Sequence, residues 1–269
     1  MKTGDEGIEQ KVELTARRMM PGGNVLFTGA GISTESGIPD YRSQGGLWEK
    51  FRPIYFQEFM SSKSARIEYW QRKTQLYPRL MKARPNAAHM AIARLHEMGL
   101  VEAVITQNVD GLHQESGLPE GKVIELHGNT RRVRCMDCGE TFGAREVQER
   151  IEAGDLAPEC PCGGYLKSDT ISFGQPMPEA ALERATELSQ GCRVFVVVGS
   201  TLVVQPAALM PSHAKRNGAF LVIINLSETP YDELCDVLIR AMAGQVLPHI
   251  VASLEGLWVR NVGAGPGTG

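Results

Sequence analysis

The stretch that decides the fold is Val25-Leu26-Phe27-Thr28-Gly29-Ala30-Gly31-Ile32-Ser33-Thr34-Glu35-Ser36-Gly37-Ile38-Pro39-Asp40-Tyr41-Arg42. Four strand-forming residues run straight into Gly-x-Gly, which predicts a buried strand feeding a tight turn. Glycine lets the backbone come close to a pyrophosphate, and the N–H groups of the turn that follows point at the anion. Thr34 stands where the common dinucleotide fingerprint has its third glycine. Gly29-x-Gly31 alone is therefore equally an ordinary strand-to-helix turn.

Upstream, Ile8, Val12, Leu14 and Met19 recur among charges and predict an amphipathic helix, ended by Pro21-Gly22-Gly23. Downstream, residues 43–84 are polar and aromatic and predict a flexible loop followed by a small helical module, helical from Ile67 to Leu76. A helix opens at Pro85-Asn86 and ends at Gly99. Val101 to Thr106 is a second apolar run that leads into Gln107-Asn108-Val109-Asp110, and a third, Val123 to Leu126, ends at His127-Gly128. Arg193-Val194-Phe195-Val196-Val197-Val198 reads as an apolar run, as in a strand covered on both faces, and stops at Gly199-Ser200-Thr201. Phe220 to Ile224 is another such strand, ending at Asn225. Helices are expected from Glu179 to Ser189 and near Pro206 to Asn217, with mixed turn and helix from Glu228 to Leu238.

Strands alternating with helices predict an α/β fold: a Rossmann-like parallel sheet with helices on both faces. Polar residues at the carboxyl ends of such strands are where ligands sit. The expected organisation is a discontinuous Rossmann-like domain over 8–130 and 171–255, with 43–84 as its loop and helical module. A small inserted zinc-binding domain spans 131–170. The five glycines of 256–269 predict a disordered tail.

The insert carries Cys135-x-x-Cys138 and, 22 residues on, Cys160-x-Cys162. Two close pairs separated by a loop suit a tetrahedral zinc with four thiolate ligands. Four cysteines leave no open coordination position, so the ion is structural, and a segment this poor in apolar residues needs its folding energy. A redox disulfide pair and a nucleic-acid-binding zinc ribbon are the alternatives. The net charge of −3 argues against the second. Across 269 residues, 42% hydrophobic content suffices for a core. No apolar run reaches the roughly 18 residues of a membrane span, and Met1 to Gln10 lack a signal-peptide core, so a cytoplasmic protein is expected.

Read in order, Gly29-Ala30-Gly31-Ile32-Ser33, Ser36-Gly37-Ile38-Pro39-Asp40-Tyr41-Arg42, Thr106-Gln107-Asn108-Val109-Asp110, Leu126-His127-Gly128, the four cysteines, Phe173-Gly174, Gly199-Ser200 and Asn225 closely resemble the motif series of the sirtuins, the NAD-dependent protein deacylases. The resemblance runs from about Val25 to Leu247. It implies that the acyl-lysine amide oxygen attacks the anomeric carbon of the nicotinamide ribose and nicotinamide leaves. His127, as general base, then deprotonates a ribose hydroxyl that attacks the alkylimidate carbon, and water releases lysine and O-acyl-ADP-ribose. It further implies that Asn108 orients ribose or water, that Gln107 bonds ribose hydroxyls, and that Asp110, Ile38 and Asp40 form the nicotinamide pocket. Arg42 becomes a phosphate contact; Gly29, Ala30, Gly31, Thr34 and Tyr41 belong to the NAD-binding turn. Gly199, Ser200, Thr201, Asn225, Leu226 and Ser227 hold phosphates and the adenosine ribose, and Ala243 meets adenine. Phe173, Gly174, Val203 and Val204 match segments that pair with an acylated-lysine peptide as added strands.

The stretch Ile32 to Ser43 and Tyr69-Trp70-x-Arg72 look most like the class II sirtuins, whereas Gln205-Pro206-Ala207 departs from them. Tyr69 and Arg72 also resemble the pair that binds acidic acyl groups in the desuccinylase class, displaced by about four residues relative to Pro85-Asn86. Many members have two residues between the second pair of cysteines; this chain has one, Pro161. Three functions stay open on the sequence: an NAD-dependent protein lysine deacylase, an ADP-ribosyltransferase or NAD hydrolase using the same site, and a non-catalytic NAD-sensing module. The last has no need of a base beside the ribose.

Overall fold

The computed structural model describes residues 3–40 and 52–263. Tyr41, Arg42 and the first part of the expected loop lie outside the described residues. Six strands form one sheet: β1 (Asn24–Thr28), β2 (Val101–Thr106), β3 (Val123–Glu125), β7 (Val194–Val198), β8 (Phe220–Ile224) and β9 (Val237–Ile239), in the order β3-β2-β1-β7-β8-β9. Every neighbouring pair is parallel. The chain grows outward from β1 to β3 on one side, then restarts at β7 on the other. The switch point therefore falls between β1 and β7.

Alternation along the strands builds two separate cores. Leu26, Val194, Val196 and Val198 face one side, where they meet Val12, Ala16 and Met19 of the helix Thr3–Met19, Ile92 and Leu95 of Ala87–Glu97, and Ile250 and Leu254 of Ala243–Gly263. Val25, Phe27, Phe195 and Val197 face the other, against Ala185 and Leu188 of Glu179–Gly191 and Met210 and Ala214 of Met210–Arg216. β1 and β7 are buried at every position, and burying a large apolar side chain stabilises by about 1.5–3 kcal/mol.

A second sheet is antiparallel, in the order β5-β4-β6, from β4 (Gly128–Cys135), β5 (Thr141–Gly143) and β6 (Leu166–Thr170). Its Val133 and Leu166, with Val147 and Ile151 of the helix Ala144–Glu152, share one cluster with Phe59, Tyr69 and Trp70 from residues 56–82. The helical module and the cysteine insert are thus packed on each other, and the Trp70 indole N–H donates to the Leu166 carbonyl at 3.1 Å.

Two expectations are corrected. Residues 256–263, expected in a disordered tail, continue the helix Ala243–Gly263, whose buried Val246, Leu247, Ile250 and Leu254 hold it against the sheet. Part of the segment 228–238, expected as turn and helix, enters the sheet as β9. Among the described residues no helix is long and apolar enough to cross a membrane.

Candidate active site

The carboxyl ends of β1, β2, β3, β7 and β8 open into one cavity of about 1310 Å³. Gly29, Ala30, Gly31, Thr34, Ile38 and Asp40 line it from the turn after β1, and Gln107, Asn108 and Asp110 from the turn after β2. His127 enters after β3; Gly199, Ser200, Thr201, Val203 and Val204 follow β7; Asn225, Leu226 and Ser227 follow β8; and Ala243 opens the last helix. Phe173 and Gly174 lie on the same rim, and Tyr69 and Arg72 reach it from the helix Lys63–Lys82. Every sequence-predicted residue of the NAD and substrate groups that falls in the described chain borders this one space.

The glycines also serve packing. A Cβ on Gly31 would come within 2.8 Å of the Gly199 backbone, and one on Gly29 within 2.7 Å of the Gly199 carbonyl. The Gly29 N–H is bonded to the Val198 carbonyl at 3.0 Å and the Gly31 N–H to the Gly199 carbonyl at 2.8 Å. These two N–H groups join the turns after β1 and β7. The residues that close that joint are themselves what lets two loops share the floor of one cavity.

His127 leaves β3 just before Gly128, whose φ of +75° suits only glycine without strain. Its Nδ1 lies 3.0 Å from the Gln107 carbonyl oxygen. A carbonyl can only accept, so Nδ1 carries the proton and Nε2 is the basic nitrogen. Burial lowers the His127 pKa, partly opposed by that bond. Beside it, the Ser33 hydroxyl donates to Asp110 Oδ2 at 2.8 Å, and Asn108 Nδ2 donates to Ser33 Oγ at 3.1 Å. Burial raises the Asp110 pKa against the pull of the Leu112 N–H and Ser33. Gln107 Nε2 donates to Ser200 Oγ at 2.7 Å, tying the β2 turn to the β7 turn. Ser33 closes the motif Gly29-Ala30-Gly31-Ile32-Ser33 without a role assigned from sequence, and its pairing with Asp110 is visible only in three dimensions.

At the outer end, Tyr69 is buried and packs edge-on to Phe59 and Trp70, at ring-centroid distances of 5.0 and 5.5 Å. Arg72 pairs with Glu68 and donates to the Arg52 carbonyl. This geometry ties the guanidinium to its own module.

Outside the cavity, the ligand atoms of Cys135, Cys138, Cys160 and Cys162 all lie within 4.8 Å of one another. Cys135 and Cys162 sulfurs are 3.5 Å apart and those of Cys138 and Cys160 3.7 Å apart. A tetrahedron with Zn–S bonds of about 2.3 Å has edges of about 3.8 Å. The donor set, its count and its spacing all fit zinc, and Pro161 does not prevent the second pair from closing.

A family model described as Sir2 family matches residues 29–206. The chain is 50% identical over 230 residues to NAD-dependent protein deacetylase 1 of Bradyrhizobium diazoefficiens, covering 85% of this chain and 90% of that protein. It is 48% identical over 248 residues to the NAD-dependent protein deacetylase of Rhodopseudomonas palustris, covering 92% and 97%. A solved structure of Sir2 with a deacetylated p53 peptide and 3'-O-acetyl ADP ribose is similar at a TM-score of 0.79 and 37% identity, over 85% of this chain and 92% of that one.

Proposed function

The chain belongs to the Sir2 family, and from that premise we infer that it is an NAD-dependent protein lysine deacylase with His127 as general base. It uses NAD and one structural zinc. Bound NAD supplies the electrophilic ribose carbon and the hydroxyl that finally carries the acyl group, with nicotinamide released. The observation that carries the reading is the His127 tautomer. The Gln107 carbonyl holds the Nδ1 proton, so a bare Nε2 on a cavity-lining ring is free to take a proton from a sugar hydroxyl. Depression of its pKa keeps the ring neutral at pH 7.

The other residues bind and orient. Asp110, held by Ser33 and the Leu112 N–H, receives the carboxamide of nicotinamide with Ile38 and Asp40. Asn108 and Gln107 orient the ribose, and the turns at Gly199 to Thr201 and Asn225 to Ser227 take the phosphates and adenosine. Phe173-Gly174 and Val203-Val204 flank the acyl-lysine peptide as two edges, which reads backbone and tolerates many sequences. Zinc, held by the four cysteines, keeps the small sheet folded and takes no part in the reaction. A cytoplasmic location belongs to this proposal, because cysteines clustered as metal ligands rather than paired as bridges suit a reducing compartment.

The test mixes purified protein with NAD and a panel of peptides bearing acetyl-, succinyl-, glutaryl- and long-chain acyl-lysine, read by mass spectrometry. Free lysine and O-acyl-ADP-ribose should appear together, and His127→Ala should lower turnover by ~10²–10⁴-fold. Consumption of NAD with no lysine unmasked would replace this reading with ADP-ribosyl transfer or NAD hydrolysis at the same site.

A further inference from the structure

Beneath the cavity floor lies a buried polar chain that none of the site roles above uses. Thr28 and Thr106 are the last residues of β1 and β2 and face each other directly in the sheet register. The Thr28 hydroxyl donates to Thr106 Oγ1 at 2.8 Å. His113, 2% exposed, places Nε2 at 2.9 Å from Thr28 Oγ1. Since Thr28 gives its proton to Thr106, His113 must donate Nε2–H to Thr28. Thr106 Oγ1 also accepts the Asn108 N–H at 3.0 Å.

That last bond is the point of contact with the chemistry. The Asn108 N–H and the Gln107 carbonyl belong to one planar peptide unit. One edge of the plane is held by Thr106 Oγ1. The opposite edge accepts the Nδ1–H of His127. Turning the plane about its long axis breaks both bonds together. We propose that His113, Thr28 and Thr106 are positioning residues for the general base: they fix the Gln107–Asn108 peptide, and through it the tautomer and orientation of His127. The inference rests on His127 being the base of the proposed deacylase.

The setting suits a fixed device. His113 faces His89 from the helix Ala87–Glu97, with ring centroids 5.1 Å apart, and His89 is itself held at Nδ1 by Asn86 Oδ1 at 3.1 Å. Burial, with the neighbouring His89 ring opposing charge on it, keeps the His113 imidazole neutral and its single Nε2–H in place. Buried hydrogen bonds in such a setting are costly to leave unmade, so the relay does not drift.

The experiment compares wild type with Thr106→Val, which keeps the shape and removes the acceptor, Thr106→Ser, which restores it, and His113→Phe, which fills the space without the donor. The first readout is ligand-free: ¹⁵N spectra of histidine-labelled protein report which His127 nitrogen carries the proton. Wild type and Thr106→Ser should show the Nδ1–H form, and Thr106→Val and His113→Phe a mixture of both. The second readout is steady-state deacylation. In the two disrupted variants kcat should fall by at least ~10-fold while KM for NAD changes by less than ~2-fold, since the lost interaction concerns the reacting step. Their acid limb of kcat/KM should also move to lower pH, because the carbonyl bond that raises the His127 pKa is weakened. An unchanged tautomer and acid limb in a folded Thr106→Val protein would overturn the inference, whatever its kcat. If Thr106→Val does not fold, His113→Phe decides by the same criteria. Should the wild type deacylate nothing, the proposed function fails, yet the tautomer spectra still decide the relay on their own.

Discussion

The two sheets of this chain are held together by different means. In the six-stranded sheet, β1 and β7 are buried at every residue, and apolar clusters cover both faces. Phe27 and Phe195 meet at 6.0 Å between ring centroids at its middle. In the three-stranded sheet, β5 has no buried residue, and Arg132 and Arg134 converge on Asp169 at its surface. Its few apolar residues borrow Phe59, Tyr69 and Trp70 from the helical module. The difference teaches that one sheet folds by burial, whereas the other is stapled by a metal and lent a core. Through Tyr69 and Ile54, which line the cavity and sit in that lent core, the stapled part also shapes the active site.

The comparison breaks most decisively if zinc proves dispensable. Structural zinc contributes roughly 10–16 kcal/mol in small peptides, about as much as the whole stability of a domain. Stripping the ion with a chelator, or Cys138→Ser, should abolish amide protection over residues 131–168 in hydrogen exchange. β1, β7 and β8 should keep theirs. Deacylation should fall with the small sheet, although no cysteine borders the cavity. Protection that survives in the small sheet after metal removal would mean that its borrowed core suffices.

The large sheet has its own weak point, which is acid. Burial pushes His89 down to about 4 and His113 down to about 3. A group whose folded pKa is depressed leaves the unfolded chain binding more protons, so stability rises with pH. The contribution is complete above the unfolded value of about 6.5 and is lost as pH falls from there towards about 3 to 4. Each imidazole costs about 1.4 kcal/mol per pH unit in that window. Urea unfolding at pH 6.5 and 5.5 should therefore show a loss of about 2 kcal/mol in wild type, because the unfolded imidazoles are already half protonated at pH 6.5, and about half of that in His113→Phe. Equal losses in the two proteins would place the acid sensitivity elsewhere and remove this polar pair from the contrast between the sheets.

What the sequence made legible follows the same division. β1, β2, β7 and β8 are readable because a strand covered on both faces is apolar at every position, a one-dimensional signal. β9 is only Val237–Ile239, flanked by polar residues, and its pairing with β8 supplies the signal that its own sequence lacks. The helix Ala243–Gly263 carries Pro248 and Gly256, which break its pattern locally, while packing against the sheet keeps it intact. In the insert, cysteine spacing was readable and the strands β4 to β6 were not, because so little of their surface is apolar. The NAD and substrate residues proposed from sequence that border the cavity came from motifs. Ser33, Thr28, Thr106 and His113 stand within or beside the motifs but received no role of their own, because a buried serine, threonine or histidine beneath a site has no periodic mark. Only the tertiary pairing of Ser33 with Asp110 and of His113 with Thr28 gives them meaning.

The finest test of the comparison sets two helix caps side by side, one in each region. Ser62 opens the helix Lys63–Lys82, and its Oγ accepts the Ala65 N–H at 3.3 Å. Asn86 opens Ala87–Glu97, and its Oδ1 accepts the Ala88 N–H at 2.9 Å and the His89 N–H at 3.4 Å. The Asn86 side chain does more than cap: its Nδ2 donates to the Ile32 carbonyl at 2.7 Å and to Ser36 Oγ at 3.0 Å, gripping the turn that lines the cavity. Replacing a capping side chain by alanine costs about 0.5–2 kcal/mol, and tertiary bonds move a cap to the upper end of that range. Ser62→Ala should therefore cost about 0.5 kcal/mol and Asn86→Ala about 2 kcal/mol by denaturant unfolding. Asn86→Ala should also weaken NAD binding by calorimetry, and Ser62→Ala should leave it unchanged. Equal costs in the two variants would show that the Nδ2 bonds add nothing. The turn after β1 would then be held by its remaining ties, the Gly31–Gly199 joint and the Ser33–Asp110 bond among them.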